Sequence, residues 1–145
     1  FSLETSIRKG ELLGINRKHI NWEARTCTLY DTKNGEDRTI PLSEHAFHIL
    51  ATLPRQFDGA MFPFTVDSLD KHFYRVRDKV GIKDFRWHDL RACFCTNALI
   101  KGWTIAQVAT VSGHRDWSQL KRYARIKADD LVEKINTLNV VNINK

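Results

Sequence analysis

At 145 residues the chain is one domain by length, long enough to bury a substantial core. Its 42% hydrophobic and 28% charged content is that of a globular protein, and no apolar run reaches the length of a membrane span. The net charge of +6 is unevenly spread, with 9 Lys and Arg against 10 Asp and Glu in residues 1–72, but 14 against 7 in residues 73–145. The second half therefore suits a polyanion, nucleic acid first and an anionic membrane surface second, or else a solvated face with no partner. Cys27, Cys93 and Cys95 cannot all pair, and Cys93 and Cys95 lie two apart on a predicted helix, facing different ways with no metal-ligand spacing. They read as reduced residues of a cytoplasmic protein.

In chain order, Ile7, Leu12, Leu13 and Ile15 alternate with Arg8 and Glu11, which stand at i, i+3 and share a helical face. An exposed ion pair and a buried arginine held by a carboxylate are both open readings. Ile20 to Ala24, Thr26 to Asp31 and Arg38 to Leu42 predict three antiparallel strands, with Asn34-Gly35 as a hairpin signal. Lys33 sits at the hairpin's mouth, either as surface or as a reaching cation.

Ser43 is the expected N-cap of a helix from Glu44 to Leu53, stopped by Pro54, and residues 54–64 read as a loop. Thr65 caps the next helix, whose Leu69, Phe73, Val76 and Val80 form an apolar stripe closed by Gly81. Lys71, Arg75 and Lys79 on its other face suit a phosphate backbone or water. His88-Asp89-Leu90-Arg91 opens a helix that Gly102 ends, so both His88 and Arg91 can face one cleft beside the free N–H groups of its first turn. Thr104 and Gln107 make a capping box, with Trp103 and Val108 as a hydrophobic staple. Gly113 ends that helix and leaves His114 at a turn. Asp116 or Ser118 caps a short helical run at whose start Tyr123 sits among Lys121, Arg122 and Arg125. A phenol among cations can be a nucleophile or simply a stacking partner for arginine. Leu131, Ile135 and Leu138 share one face of a last helix.

Taken in order, Thr5-Ser6-Ile7-Arg8-Lys9-Gly10-Glu11-Leu12, Thr32-Lys33-Asn34-Gly35, His88-Asp89-Leu90-Arg91 and Gly113-His114 with Tyr123 nine residues on resemble the catalytic signature of the tyrosine recombinases, the phage-integrase family. The likeness runs from the first residue to the region of Ile126. It implies a mainly helical α+β fold, an integrase-like catalytic domain in which a small three-stranded antiparallel sheet packs against a helical bundle. It implies site-specific recombination: Tyr123 attacks a DNA phosphodiester and forms a 3′-phosphotyrosyl link with release of a 5′-hydroxyl. Arg8 and Arg91 would grip the non-bridging oxygens and His114 would add a hydrogen bond. Lys33 would protonate the leaving oxygen, His88 would be the general base, and Glu11 would hold Arg8 in place. Lys71, Arg75, Lys79, Arg115, Lys121, Arg122 and Arg125 are candidate DNA-backbone contacts. No metal and no nucleotide cofactor is implied, because arginines can supply the charge that other phosphoryl-transfer enzymes take from Mg²⁺.

Ser6 stands where glycine is common in that pattern, Ala92 where histidine is, and Ser112 where leucine is; none is an expected catalytic group. The implied organisation is one catalytic domain over 1–145 lacking its first helix and an N-terminal DNA-clamping domain, with 127–145 as a C-terminal helix and tail that docks on its own domain or passes to a neighbour. The implied partners are double-stranded DNA and further copies of the chain, as a tetramer on DNA, with no membrane role. The implied setting is the cytoplasm, at the nucleoid, of a prokaryote or its phage. Competing readings are a type IB topoisomerase, against which the hairpin-lysine and GH-to-Tyr spacings weigh, and a non-catalytic DNA-binding regulator, which has no need of Tyr123 or Lys33.

Overall fold

A computed structural model describes residues 1–30, 35, 37–121 and 123. The order of elements is α1 (Ser2–Thr5), α2 (Lys9–Leu13), a 3₁₀ turn (Arg17–His19), β1 (Ile20–Asn21), β2 (Thr26–Leu29), β3 (Arg38–Pro41), α3 (Glu44–Thr52), α4 (Val66–Lys79), α5 (Trp87–Ile100), α6 (Ile105–Ser112) and a second 3₁₀ turn (Trp117–Leu120). The strands form one antiparallel sheet in the order β1-β2-β3, with Cys27 opposite both Ile20 and Ile40. This is the expected architecture, a small sheet against a helical bundle.

The first strand is shorter than the expected run from Ile20 to Ala24. Asn21 Oδ1 accepts the backbone N–H groups of Glu23 and Ala24, 3.1 and 2.9 Å away, and Arg25 then turns through φ 53°. A side chain that offers the backbone a local acceptor outcompetes strand pairing. Gly35 takes φ 71° as a hairpin glycine does. Residues 31–34 and 36, Lys33 among them, lie outside the described residues.

Two apolar clusters hold the fold. The larger joins the inward faces of the sheet (Cys27, Leu29, Ile40) to Ile7, Leu12, Ile15 and Leu50. The smaller gathers Cys95, Ala98, Val108, Ala109 and Leu120 between α5, α6 and the second 3₁₀ turn, and Tyr123 packs against it. The helix starts are capped as their sequences predict. Ser43 Oγ accepts from Ala46 N, Thr65 Oγ1 from Ser68 N, and Thr104 with Gln107 closes a reciprocal box. Each such cap stabilises its helix by about 1 kcal/mol. Trp103, expected as a staple, meets Phe94 edge-on at 6.0 Å.

One expectation fails on α4. Its stripe begins as predicted, with Phe73 against Phe85 and Trp87, and Lys9 Nζ bonds Asp70 to hold the helix against α2. Val76 and Val80, however, are 59% and 60% exposed, because the segment after α4 packs on Phe73 and Arg77 instead.

Candidate phosphate-binding site

The site is built where α2, α5 and the turn after α6 converge. Arg8 is the N-cap of α2 in extended conformation, φ −75° and ψ 153°. Glu11 in the first turn reaches back, one carboxylate oxygen accepting Arg8 N at 2.8 Å and the other accepting Arg8 Nη1 at 2.8 Å. The i, i+3 spacing is thus a capping interaction and an ion pair at once. Arg8 Nη2 donates to the carbonyl of Gly113 at 3.1 Å, which ties the start of α2 to the turn that carries His114. Of the two readings left open by the sequence, the arginine held by a carboxylate is the one found, but it is the carboxylate that is buried: Glu11's side chain is 5% exposed and Arg8's 24%.

Arg91, the fifth residue of α5, is buried. Its Nη1 donates to the Ser6 carbonyl at 2.8 Å. Ser6 itself sits in the left-handed region at φ 56°, which accounts for glycine being common there, and the strained corner aims its carbonyl at Arg91. Arg91 Nη2 is 3.3 Å from His114 Nδ1 and 3.4 Å from Nε2. Near-equal distances to both nitrogens mean the guanidinium lies between them and not along one lone pair. Burial, then the charges of Arg8 and Arg38, draw the Arg91 pKa down to about 10, which leaves it cationic at neutral pH.

Gly113 ends α6 at φ 68°, so the chain can reverse and set His114 beside Arg91. Ser112 Oγ is 2.7 Å from His114 Nδ1. Tyr123 follows the 3₁₀ turn capped by Asp116, with its N–H donating to Leu120 O at 3.0 Å; the helical run expected to begin there lies outside the described residues. His88 is exposed on the first turn of α5, and no hydrogen bond among the described residues joins it to Arg91 or His114. Lys71, Arg75, Lys79, Arg115 and Lys121 are exposed. Arg122 and Arg125 lie outside the described residues, as does the segment 127–145.

The sequence did not point to Arg38. Its Nη1 and Nη2 donate to the two oxygens of Glu11, 2.8 Å each, and its Nε to Val111 O at 3.3 Å. The available signal was its phase, since Arg38 and the fully buried Ile40 occupy the same face of β3. Nor did it point to the buried polar contacts behind the site, where Ser6 Oγ lies 3.9 Å from Cys95 Sγ and burial pushes the Cys95 thiol pKa up. Among the described residues, the guanidiniums of Arg8 and Arg38 thus flank the carboxylate of Glu11, and Arg91 stands near enough to feel the charge of all three. Such a cluster is poised to take up an anion. No group of His, Cys, Asp and Glu able to hold a metal occurs among the described residues, and no helix there is long and apolar enough to cross a membrane.

The family model for the phage integrase family matches residues 1–129. A shufflon-specific DNA recombinase of Escherichia coli is 32% identical over 136 residues, 93% of this chain and 35% of that protein. Tyrosine recombinase XerA of Saccharolobus solfataricus is 30% identical over 131 residues, 89% of this chain and 45% of its own length. The chain therefore spans less than half the length of these curated relatives. Two solved structures share the fold. The catalytic domain of bacteriophage HP1 integrase superposes with TM-score 0.75 at 21% identity, covering 99% of this chain and 82% of that one. The Tn1549 transposon integrase in complex with a circular intermediate DNA gives 0.76 at 20% identity, covering 94% and 56%.

Proposed function

This chain belongs to the phage integrase family, and from that premise we propose that it is the catalytic domain of a site-specific DNA recombinase. The observation that carries the reading is the excess of guanidinium over carboxylate around Glu11, with His114 against Arg91. A phosphodiester gains charge on its non-bridging oxygens in the transition state, and fixed guanidiniums stabilise that charge without reorganising. Arg8 has N–H groups beyond those bonded to Glu11 and Gly113, and these would meet the scissile phosphate.

In this reading Tyr123 Oη attacks phosphorus in line while His88 takes its proton. A P–O bond to tyrosine forms, the P–O5′ bond breaks, and Lys33 gives a proton to the departing 5′-oxygen. Attack by a 5′-hydroxyl on the phosphotyrosine reverses the step and rejoins the strand. The exchange of one phosphodiester for another conserves bond energy, so it needs no nucleotide. Tyr123 rests on the cluster of Leu120, Val108 and Ala109, a support that positions the phenol through its ring.

The reading extends to assembly on double-stranded DNA as a tetramer, in the cytoplasm and at the nucleoid. The apolar face of 127–145 would pass to a neighbouring copy or fold onto its own domain. A cavity of ≈ 430 Å³ lined in part by Leu42, Phe94, Trp103 and Val111 supports a seat for such a segment. Light scattering before and after deletion from Lys127 onward separates the two settings.

The deciding experiment uses a DNA substrate nicked beside the scissile phosphate, so that the cleaved fragment diffuses away and the covalent adduct accumulates. Wild-type protein should give an adduct that survives a denaturing gel, and Tyr123→Phe should give none. Absence of the adduct in wild type, or its persistence in Tyr123→Phe, rejects the reading.

A further inference from the structure

We propose that Arg38 is a positioning residue whose work is electrostatic: by occupying both oxygens of Glu11 it leaves the charge of Arg8 uncancelled and free for the phosphate. The inference rests on the phosphate-transfer reading above and extends it to a residue outside the catalytic signature.

Glu11 is needed for geometry. It caps α2 and fixes Arg8 through backbone and side chain at 2.8 Å each. The same carboxylate at that distance would neutralise Arg8, because opposite unit charges in a half-buried setting interact far more strongly than in water. A site made of Arg8 and Glu11 alone would hold an arginine in place and offer little net charge. Arg38 removes the conflict. Its two terminal nitrogens engage the two carboxylate oxygens in a fork, the arrangement guanidinium and carboxylate favour. Its side chain is 13% exposed against 24% for Arg8, so Arg38 is spent inward while Arg8 faces outward.

A second, independent feature fixes Arg38 in that task. A Cβ built on Gly113 would lie 3.0 Å from Cζ, Nε and Nη1 of Arg38, so the backbone of the turn rests directly on the guanidinium. Arg38 Nε also donates to Val111 O near the end of α6. Arg38 stands at the first position of β3, five residues after Lys33. One side chain therefore joins the outgoing strand of the hairpin to α2 and to the turn bearing His114.

The test is a double-mutant cycle of Arg38→Met and Glu11→Gln, read as the rate of covalent adduct formation on nicked DNA. Arg38→Met should slow the adduct by about tenfold to a hundredfold, the scale of losing charge stabilisation at a phosphoryl transition state. The double variant should be faster than Arg38→Met alone, since a neutral amide no longer cancels Arg8. A double variant as slow as the single one, or slower, overturns the proposal and makes Arg38 a structural cross-link. Should Arg38→Met fail to fold, Arg38→Lys takes its place: it keeps the charge without the fork, and a folded Arg38→Lys protein that loses as much rate as a charge deletion also overturns it. A wild-type protein that forms no adduct rejects the recombinase reading separately. The Arg38 assignment is then read from inorganic phosphate binding, followed by the Arg8 Nε–H signal in NMR. Tighter phosphate binding in the double variant than in Arg38→Met upholds it, and equal binding rejects it.

Discussion

The Ser112 hydroxyl lies 2.7 Å from Nδ1 of His114, while its next acceptor, the Ala109 carbonyl, is 3.5 Å away. Together with Arg91 Nη2, 3.3 Å from the same nitrogen, the hydroxyl fixes how the imidazole is turned. Ser112→Ala should free the ring and slow adduct formation about fivefold, the worth of one hydrogen bond near 1 kcal/mol. Single-turnover rates test the loss, and ¹⁵N imidazole shifts of His114 should change with it. Unchanged shifts in Ser112→Ala would remove Ser112 from this role.

Lys33→Ala offers a chemical test of the leaving-group step. The variant should cleave ordinary DNA poorly and recover on a substrate whose bridging 5′-oxygen is sulfur, because a thiolate departs with little need of a proton. If sulfur brings no recovery, Lys33 is not the general acid.

Gly113→Ala should destabilise the fold by an amount on the order of 1–3 kcal/mol, the range for a non-glycine residue forced into the left-handed region. The φ of 68° and the 3.0 Å approach to the Arg38 guanidinium both resist a methyl group. Denaturant midpoints at constant slope measure the first effect. The second should appear as lost adduct beyond what the stability change explains.

Acid should loosen the site through Glu11. Burial alone would push its carboxyl up, but the hydrogen bonds from Arg38 and Arg8 outweigh burial and bring the pKa from 4.5 to about 2. Because the folded pKa is the depressed one, this contribution is complete above 4.5 and is lost as the pH falls through 2. Glu11→Gln should therefore flatten the acid limb of a stability-versus-pH curve while lowering stability at neutral pH. An acid limb identical to that of wild type would show that other carboxylates control it.

What could be read from the sequence was what depends on short spacing. Arg8 with Glu11, the opening of α5 at His88 to Arg91, the Thr104–Gln107 box and Gly113 before His114 all declare themselves within a few residues. Contacts across the fold do not. Arg38 meets Glu11 over a separation of 27 residues, and Ser6 meets Cys95 over 89. Patterns also misled where a local side chain or an uncovered face decided the outcome. Asn21 diverted a strand-like run into a turn, and the helical period of Val76 and Val80 exists without burial. Ser6 and Ser112 read as mere departures from a family pattern until their neighbours brought both against the site.

The burial of Arg91 has a practical bearing on how an inactive protein should be made. Arg91 is 4% exposed and its guanidinium is bonded to the Ser6 backbone 85 residues away, so it ties the first residues of the chain to α5. Deleting it would strand that carbonyl and open space beneath α5, and a dead Arg91→Ala protein would report on its own collapse as much as on chemistry. Tyr123→Phe keeps the ring on the cluster of Leu120 and Val108 and removes one oxygen. For trapping an uncleaved complex, the gentler deletion is at the nucleophile.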